Sequence, residues 1–202
     1  AMADCHPLPR CWLFTDARAQ GHGLAAARRL PPGGGIVLRS DDLPPAARRA
    51  LLRRLRTVAV ARRLILLVAG VNPDTARRLG AHGVHLRDRS ARRAAQARRL
   101  GLITSAPVHD AAEARAARRA RMALSFVSPL HPTLSHPGAP ALGRRRWLAL
   151  ARQAGGKPVA LGGMTAARHR ALCRVAGPAI GSAAITAWDK AVQRKTGRGF
   201  RP

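Results

Sequence analysis

Short apolar runs recur along the chain, separated by longer Ala- and Arg-rich stretches in which apolar residues return at helical spacing. Runs too short for a helix, alternating with helical periods, are the pattern of βα units around a parallel sheet. The pattern predicts strands over 12–16, 35–39, 64–70, 83–87, 102–106, 123–128, 158–162 and 179–182. Eight strands close a (β/α)8 TIM barrel, so the expected class is α/β, a single-domain barrel over 11–190. Helix boundaries agree: Pro44-Pro45 opens a helix over 46–63, and Asn72-Pro73-Asp74 opens one over 75–79 before Gly80. Residues 1–10 and 191–202 fall outside the periodic region and are expected to be flexible termini.

Two features break the period. One is the run SFVSPLHPTLSHPGAPALG over 125–143, whose segment after His131 holds Pro132, Pro137, Gly138 and Pro140. Its length marks a functional loop rather than a plain connector. The other is a pair of apolar strands ending in glycine, Pro158-Val-Ala-Leu-Gly-Gly163 and Pro178-Ala-Ile-Gly-Ser182. Glycine inside a strand costs about 0.5–1 kcal/mol relative to alanine, so its presence implies a close approach to the backbone. In barrels of this kind the loops after the last two strands commonly bind phosphate, through backbone N–H groups and a helix N-terminus.

Composition narrows the classes. With 202 residues, one domain is expected, near the lower limit of about 200 for such a barrel, and its connections must be short. Aromatic residues make up only 3%, with no Tyr, so the core is expected to be Leu, Val, Ile and Ala and base stacking has few rings to use. Lys and Arg number 37 against 9 Asp and Glu, a net charge of +28, a field that attracts anions and binds nucleic acid non-specifically at low salt. The arginines are spread in pairs along helical segments, such as Arg28-Arg29, Arg48-Arg49 and Arg98-Arg99, and most read as solvated helix faces. Cys5, Cys11 and Cys173 have no metal-ligand spacing, which fits a reduced, cytoplasmic setting. No segment approaches the ~18 apolar residues of a membrane span, so no membrane partner is expected. Self-association into a homo-oligomer stays open.

The residues resemble the thiamine phosphate synthase and TenI family of barrels. Four segments carry the resemblance: Trp12-Leu-Phe-Thr-Asp16 is similar to the first strand, Gly80-Ala-His-Gly-Val-His-Leu86 to the fourth, 129–143 to the long loop, and Leu161-Gly-Gly-Met-Thr165 to the phosphate turn. The loop run Pro-Thr-x-Ser-x-Pro-Gly-Ala-Pro-x-Leu-Gly is the most specific of them. The resemblance implies an enzyme, a transferase that joins a hydroxymethylpyrimidine pyrophosphate to a thiazole phosphate and expels pyrophosphate, with Mg²⁺ neutralising the leaving group. It further implies that Thr133 and Ser135 donate hydroxyls to phosphate oxygens beside His136. The N–H groups of Gly163 and of Gly181, Ser182, Ala183 and Ala184 would cradle the thiazole phosphate next to Gly162, and Arg39 would hold pyrophosphate.

The match departs where the family binds metal. The Asn-Asp pair expected to end strand three falls on Gly70-Val71, and the Asp expected after strand four falls on Ser90. Val37 and Asp41 replace a glutamine and a lysine, and His136 stands where the loop has a lysine. Mg²⁺ is thus implied without its carboxylates, leaving Asp16 and Asp88 as the carboxylates near the rim, with Arg87 and Arg89 as cations able to replace the charge. The histidine that serves a TenI-like tautomerase as acid and base falls on Pro129, and His131, two residues on, is the candidate to take that role. His85 and His109 read as packing or hydrogen-bonding residues, and His169 as a surface residue. Three readings remain: a synthase, a metal-free tautomerase or silent thiazole-phosphate binder, and a basic RNA-binding barrel.

Overall fold

The computed structural model describes residues 8–16, 23–133 and 140–185. Eight parallel strands, β1 (Cys11–Phe14), β2 (Gly35–Leu38), β3 (Ile65–Ala69), β4 (Gly83–His85), β5 (Ile103–Val108), β6 (Leu124–Val127), β7 (Lys157–Ala160) and β8 (Gly181–Ala184), close in sequence order into a barrel. The helices α1 (Leu24–Ala27), α2 (Pro45–Ala61), α3 (Pro73–Arg78), α4 (Ala91–Arg99), α5 (Ala111–Arg119), α6 (Gly143–Ala154) and α7 (Ala166–Ala176) intervene. Closure is direct, since β1 pairs with β2 and also with β8.

Short polar caps start the helices where the sequence places them. Asn72 accepts from Thr75 N, Ser90 from Arg93 N, Asp110 from Glu113 N and Thr165 from Arg168 N, each satisfying an orphan helical donor. Proline at the start of α2 and α3 loses no helical hydrogen bond, because those N–H groups have no acceptor there anyway.

Side-chain alternation sorts the strands into two cores. Outward residues such as Leu13, Ile36, Leu66, Val84 and Val127 pack under the helices. Inward residues Trp12, Phe14, Val37, Leu67, Leu124, Phe126, Val159 and Ala183 fill the lumen. The lumen is more aromatic than the composition suggests: Phe126 meets Phe14 at 4.9 Å and Trp12 at 5.4 Å, both edge to face. Such pairs contribute about 0.5–1.5 kcal/mol beyond burial. Gly35 makes room for this packing, since a Cβ there would lie 2.3 Å from the Trp12 ring.

Several boundaries differ from the expectation: β1 ends at Phe14 rather than at 16, and β7 at Ala160 rather than at 162. Strand β4 ends at His85 rather than at 87, and β5 continues to Val108 because Ser105 to Val108 pair with β6. The last strand is shifted two residues, to Gly181–Ala184, where it pairs with both β7 and β1. Residues 186–202, including the expected C-terminal tail, and 1–7 lie outside the described residues.

Candidate functional site

Continuing the inward alternation past the C-terminal ends of β1, β2 and β4 brings Asp16, Arg39 and Arg87 to the barrel mouth. Arg39 Nη2 lies 2.7 Å from Asp16 Oδ2, and its guanidinium stands over the Phe14 ring at 5.9 Å. The Arg39 N–H also donates to Thr15 Oγ1 at 2.8 Å, so the residue is held at both ends. Arg87 Nη1 lies 2.7 Å from Asp41 Oδ2, and Arg48, reaching over from the first turn of α2, lies 3.7 Å from the other Asp41 oxygen. Arg48 also donates to the Ala69 carbonyl at the end of β3.

His85 forms the floor beneath these cations. It is buried, edge-on to Phe14 and Phe126 at 5.5 Å each, with Nδ1 3.0 Å from Ser105 Oγ. Ser105 Oγ is 3.2 Å from the Val84 carbonyl, which can only accept; Ser105 therefore donates there and accepts from the His85 Nδ1–H. The other ring nitrogen keeps its lone pair. Burial, with Arg39, Arg87 and His109 close by, holds the imidazole neutral by pushing its pKa down to about 3. His109 and Arg89 turn to Glu113 of α5, at 2.8 and 3.1 Å. His85 thus packs and hydrogen-bonds within the lumen, and His109 hydrogen-bonds at the rim.

The opposite half of the mouth is built from main chain. Leu130 N donates to Leu161 O and His131 N to Gly162 O, which carries the end of β6 alongside the end of β7. Gly162 and Gly163 have φ of 94° and 60°. A Cβ on Gly162 would lie 2.7 Å from Pro129 Cα, and one on Gly163 2.5 Å from the Pro132 carbonyl oxygen. The close approach that these glycines permit is therefore made by the chain's own 129–132 segment. Thr133 follows Pro132 directly in the chain, while Ser135 and His136 lie outside the described residues. His131 packs by Gly163 and, with Arg144, Arg145 and Arg168, lines a cleft of about 510 Å³ between α6 and α7. Partial burial and then Arg168 depress its pKa.

Some expected site residues are not brought to the rim. Because β8 is shifted, Gly181, Ser182 and Ala183 lie buried in the barrel wall, with Ser182 N donating to Arg10 O; Ala184 ends the strand. His169 is half-buried and not a surface residue, with Nε2 3.0 Å from the Ile180 carbonyl. Sequence reasoning read Arg48 as one of the solvated helix faces and Asp41 only as the replacement of a lysine, and so missed that they pair. Arg48 looks like any other helical arginine, and the available signal was its place in the first turn after a strand end.

Among the described residues of the rim the carboxylates are already paired or capping, which does not suit a divalent metal. The position ending β3 is Gly70, and a Cβ there would meet Asp41 Oδ1, Arg87 Nη2 and Arg48 Nη2 at 3.2, 3.6 and 3.7 Å. The carboxylate that the resemblance implies falls on the next residue, Val71, and the space over Gly70 is already taken by Asp41 with its two arginine partners. Ser90 caps α4, Asp88 pairs with Arg93 at 3.3 Å and Asp16 with Arg39. Among the described residues no group of three His, Cys, Asp or Glu side chains could hold a metal ion. Among them, too, no helix is long and apolar enough to cross a membrane.

The family model described as thiamine monophosphate synthase matches residues 13–186. No curated protein matches the chain in sequence. Among solved structures, a thiamine phosphate pyrophosphorylase from Pyrococcus furiosus is similar with a TM-score of 0.71 at 20% identity, over 95% of this chain and 93% of that one. A 3-hexulose-6-phosphate synthase is similar at 0.63 and 17% identity, over 88% and 90% of the two chains. The 2-keto-3-deoxy-6-phosphogluconate aldolase of Zymomonas mobilis, solved with 3-phosphoglycerate, gives 0.60 at 16% identity, over 93% and 87%. At these identities the structural likenesses establish the barrel fold.

Proposed function

The chain belongs to the thiamine monophosphate synthase family, within thiamine biosynthesis, and from that premise we propose that it couples hydroxymethylpyrimidine pyrophosphate to thiazole phosphate. The observation that carries this reading is a mouth with two unlike halves: arginine side chains over β2–β4 and a glycine turn of main chain over β7. Such a division suits a reaction with two anionic substrates. The bond from the pyrimidine methylene to the pyrophosphate oxygen breaks, its electron pair leaves with pyrophosphate, and the thiazole nitrogen supplies the pair for the new bond.

In this reading Arg39 orients the pyrophosphate, a charge-assisted contact about twice as strong as a neutral hydrogen bond. Gly163, Thr133 and the first turn of α7 face the thiazole phosphate, with Ser135 and His136 further along the same loop. The neutral imidazole of His85 excludes water from the floor and offers a lone pair, not a charge. Phosphorylated small molecules are the partners, and the cytoplasm is the setting.

A second reading, a metal-free thiazole tautomerase or a silent thiazole-phosphate binder, is favoured by the lack of metal carboxylates and by His131 lying beside Gly163. Calorimetry with each substrate separately, followed by detection of thiamine phosphate when both are present, decides between them. Binding of both with product formation supports the synthase; binding of thiazole phosphate alone supports the second reading. Binding of neither, beside salt-sensitive RNA binding, rejects both and favours the basic RNA-binding barrel.

A further inference from the structure

Where β2, β3 and β4 end, three guanidiniums meet two carboxylates: Arg39 with Asp16, and Arg87 and Arg48 with Asp41. Positive charge is in excess in a ring that lies over one lumen. Its members differ in freedom. Asp16 is 8% exposed and fixes Arg39, itself 28% exposed, while Arg48 is 19% exposed and tied to the Ala69 carbonyl. Arg87 is 53% exposed, and its pairing with Asp41 is of the weakly held surface kind that exchanges readily for a better anion.

We propose that this part of the rim binds a diphosphate group directly, through Arg39 and Arg87 backed by Arg48, without a bridging divalent cation. The identity of the natural ligand rests on the functional reading above; the geometry of the site does not. Asp41, whose Oδ1 would lie 3.2 Å from a Cβ on Gly70, gathers the Arg87 and Arg48 guanidiniums above the end of β3. A planar guanidinium offers paired donors that match phosphate oxygens two at a time, so one phosphate per arginine satisfies a diphosphate. Arg39 stands over the Phe14 ring, His85 lies edge-on to the same ring, and Arg87 follows His85 by two residues on the inward face, so both cations stand over one floor.

The test is titration calorimetry of the full chain with inorganic pyrophosphate at physiological ionic strength, in excess EDTA and again with Mg²⁺. Expected is binding in EDTA that Mg²⁺ changes by less than threefold, weakened at least tenfold by Arg87→Ala and by Arg39→Ala. Arg99→Ala, at the far end of α4, controls for the overall field and should leave the affinity unchanged. Binding that requires Mg²⁺, no binding, or equal losses in all three variants overturns the proposal. Arg39→Ala removes an ion pair of the buried Asp16, so thermal melting accompanies it, and the half-exposed Arg87 provides the decisive variant should Arg39→Ala unfold. Thiazole phosphate titrated in parallel separates the two ideas. Its binding without pyrophosphate binding rejects this site alone, and EDTA-resistant pyrophosphate binding without it supports the site while rejecting the synthase.

Discussion

The two halves of the barrel mouth solve the same problem with different materials. Over β1–β4 the polar groups are side chains, in ion pairs whose members come from different strands and from α2. Over β6 and β7 they are main-chain groups, ordered by the hydrogen bonds Leu130 N to Leu161 O and His131 N to Gly162 O. A side-chain site can change its ligand chemistry by substitution without disturbing the wall, whereas a main-chain site is inseparable from the fold. Of the departures from the family pattern, the absent metal carboxylates and the changes at Val37 and Asp41 fall in the first half, while the glycine turn of the second remains and the loop beyond it carries the change at His136.

The sharpest way to break this contrast is Gly162→Ala. Its Cβ would press on Pro129 Cα at a φ of 94°, and strain together with overpacking costs roughly 3 kcal/mol. For a domain of this size the expected fall in Tm is about 6–12 °C by differential scanning calorimetry. A melting point within a degree of the parent would mean that the second half is as adaptable as the first.

The floor shared by both halves gives the next effect. His85 remains neutral in the folded state down to about pH 3, while the unfolded chain takes up the proton below its ordinary 6.5. The unfolded state thus binds more protons between pH 6.5 and 3, and stability falls as pH falls through that window by roughly 1.4 kcal/mol per unit from this group. Urea unfolding at several pH values should show a shallower acid slope for His85→Asn than for the parent; equal slopes would show that the imidazole is not held neutral by Arg39, Arg87 and its burial.

The smallest effect belongs to the outer edge of the charged half. Arg93 and Asp88 are each about half exposed at 3.3 Å, so Arg93→Ala should change stability by less than about 0.5 kcal/mol and leave pyrophosphate binding intact. A larger loss in chemical denaturation would extend the working cluster beyond Arg39, Arg48 and Arg87.

Much of the architecture was legible without coordinates. The strands around 35–39, 64–70, 123–128 and 158–162 and the helices opened by Pro44-Pro45 and Asn72-Pro73 follow from short-range causes: side-chain periodicity, ring-fixed φ, and caps that satisfy local N–H groups. The place of Arg39 at the mouth was also legible, through the resemblance that puts an arginine at the end of the second strand. The last strand was misplaced by two residues because Ala, Gly and Ser carry little periodicity, and only pairing with β1 and β7 fixes its register.

The sequence alone determined a barrel, a basic composition and a proline-rich run after strand six, since each is a property of neighbouring residues or of composition, and the resemblance to the family located the positions where its metal carboxylates are absent. Only the tertiary structure distinguished Arg48 from Arg49, joined Asp41 to two arginines across three elements, and showed that Gly162 and Gly163 make way for the protein's own loop. Those contacts join residues far apart in the chain, and the closure of the sheet, which no local pattern encodes, is what brings them within reach of one another.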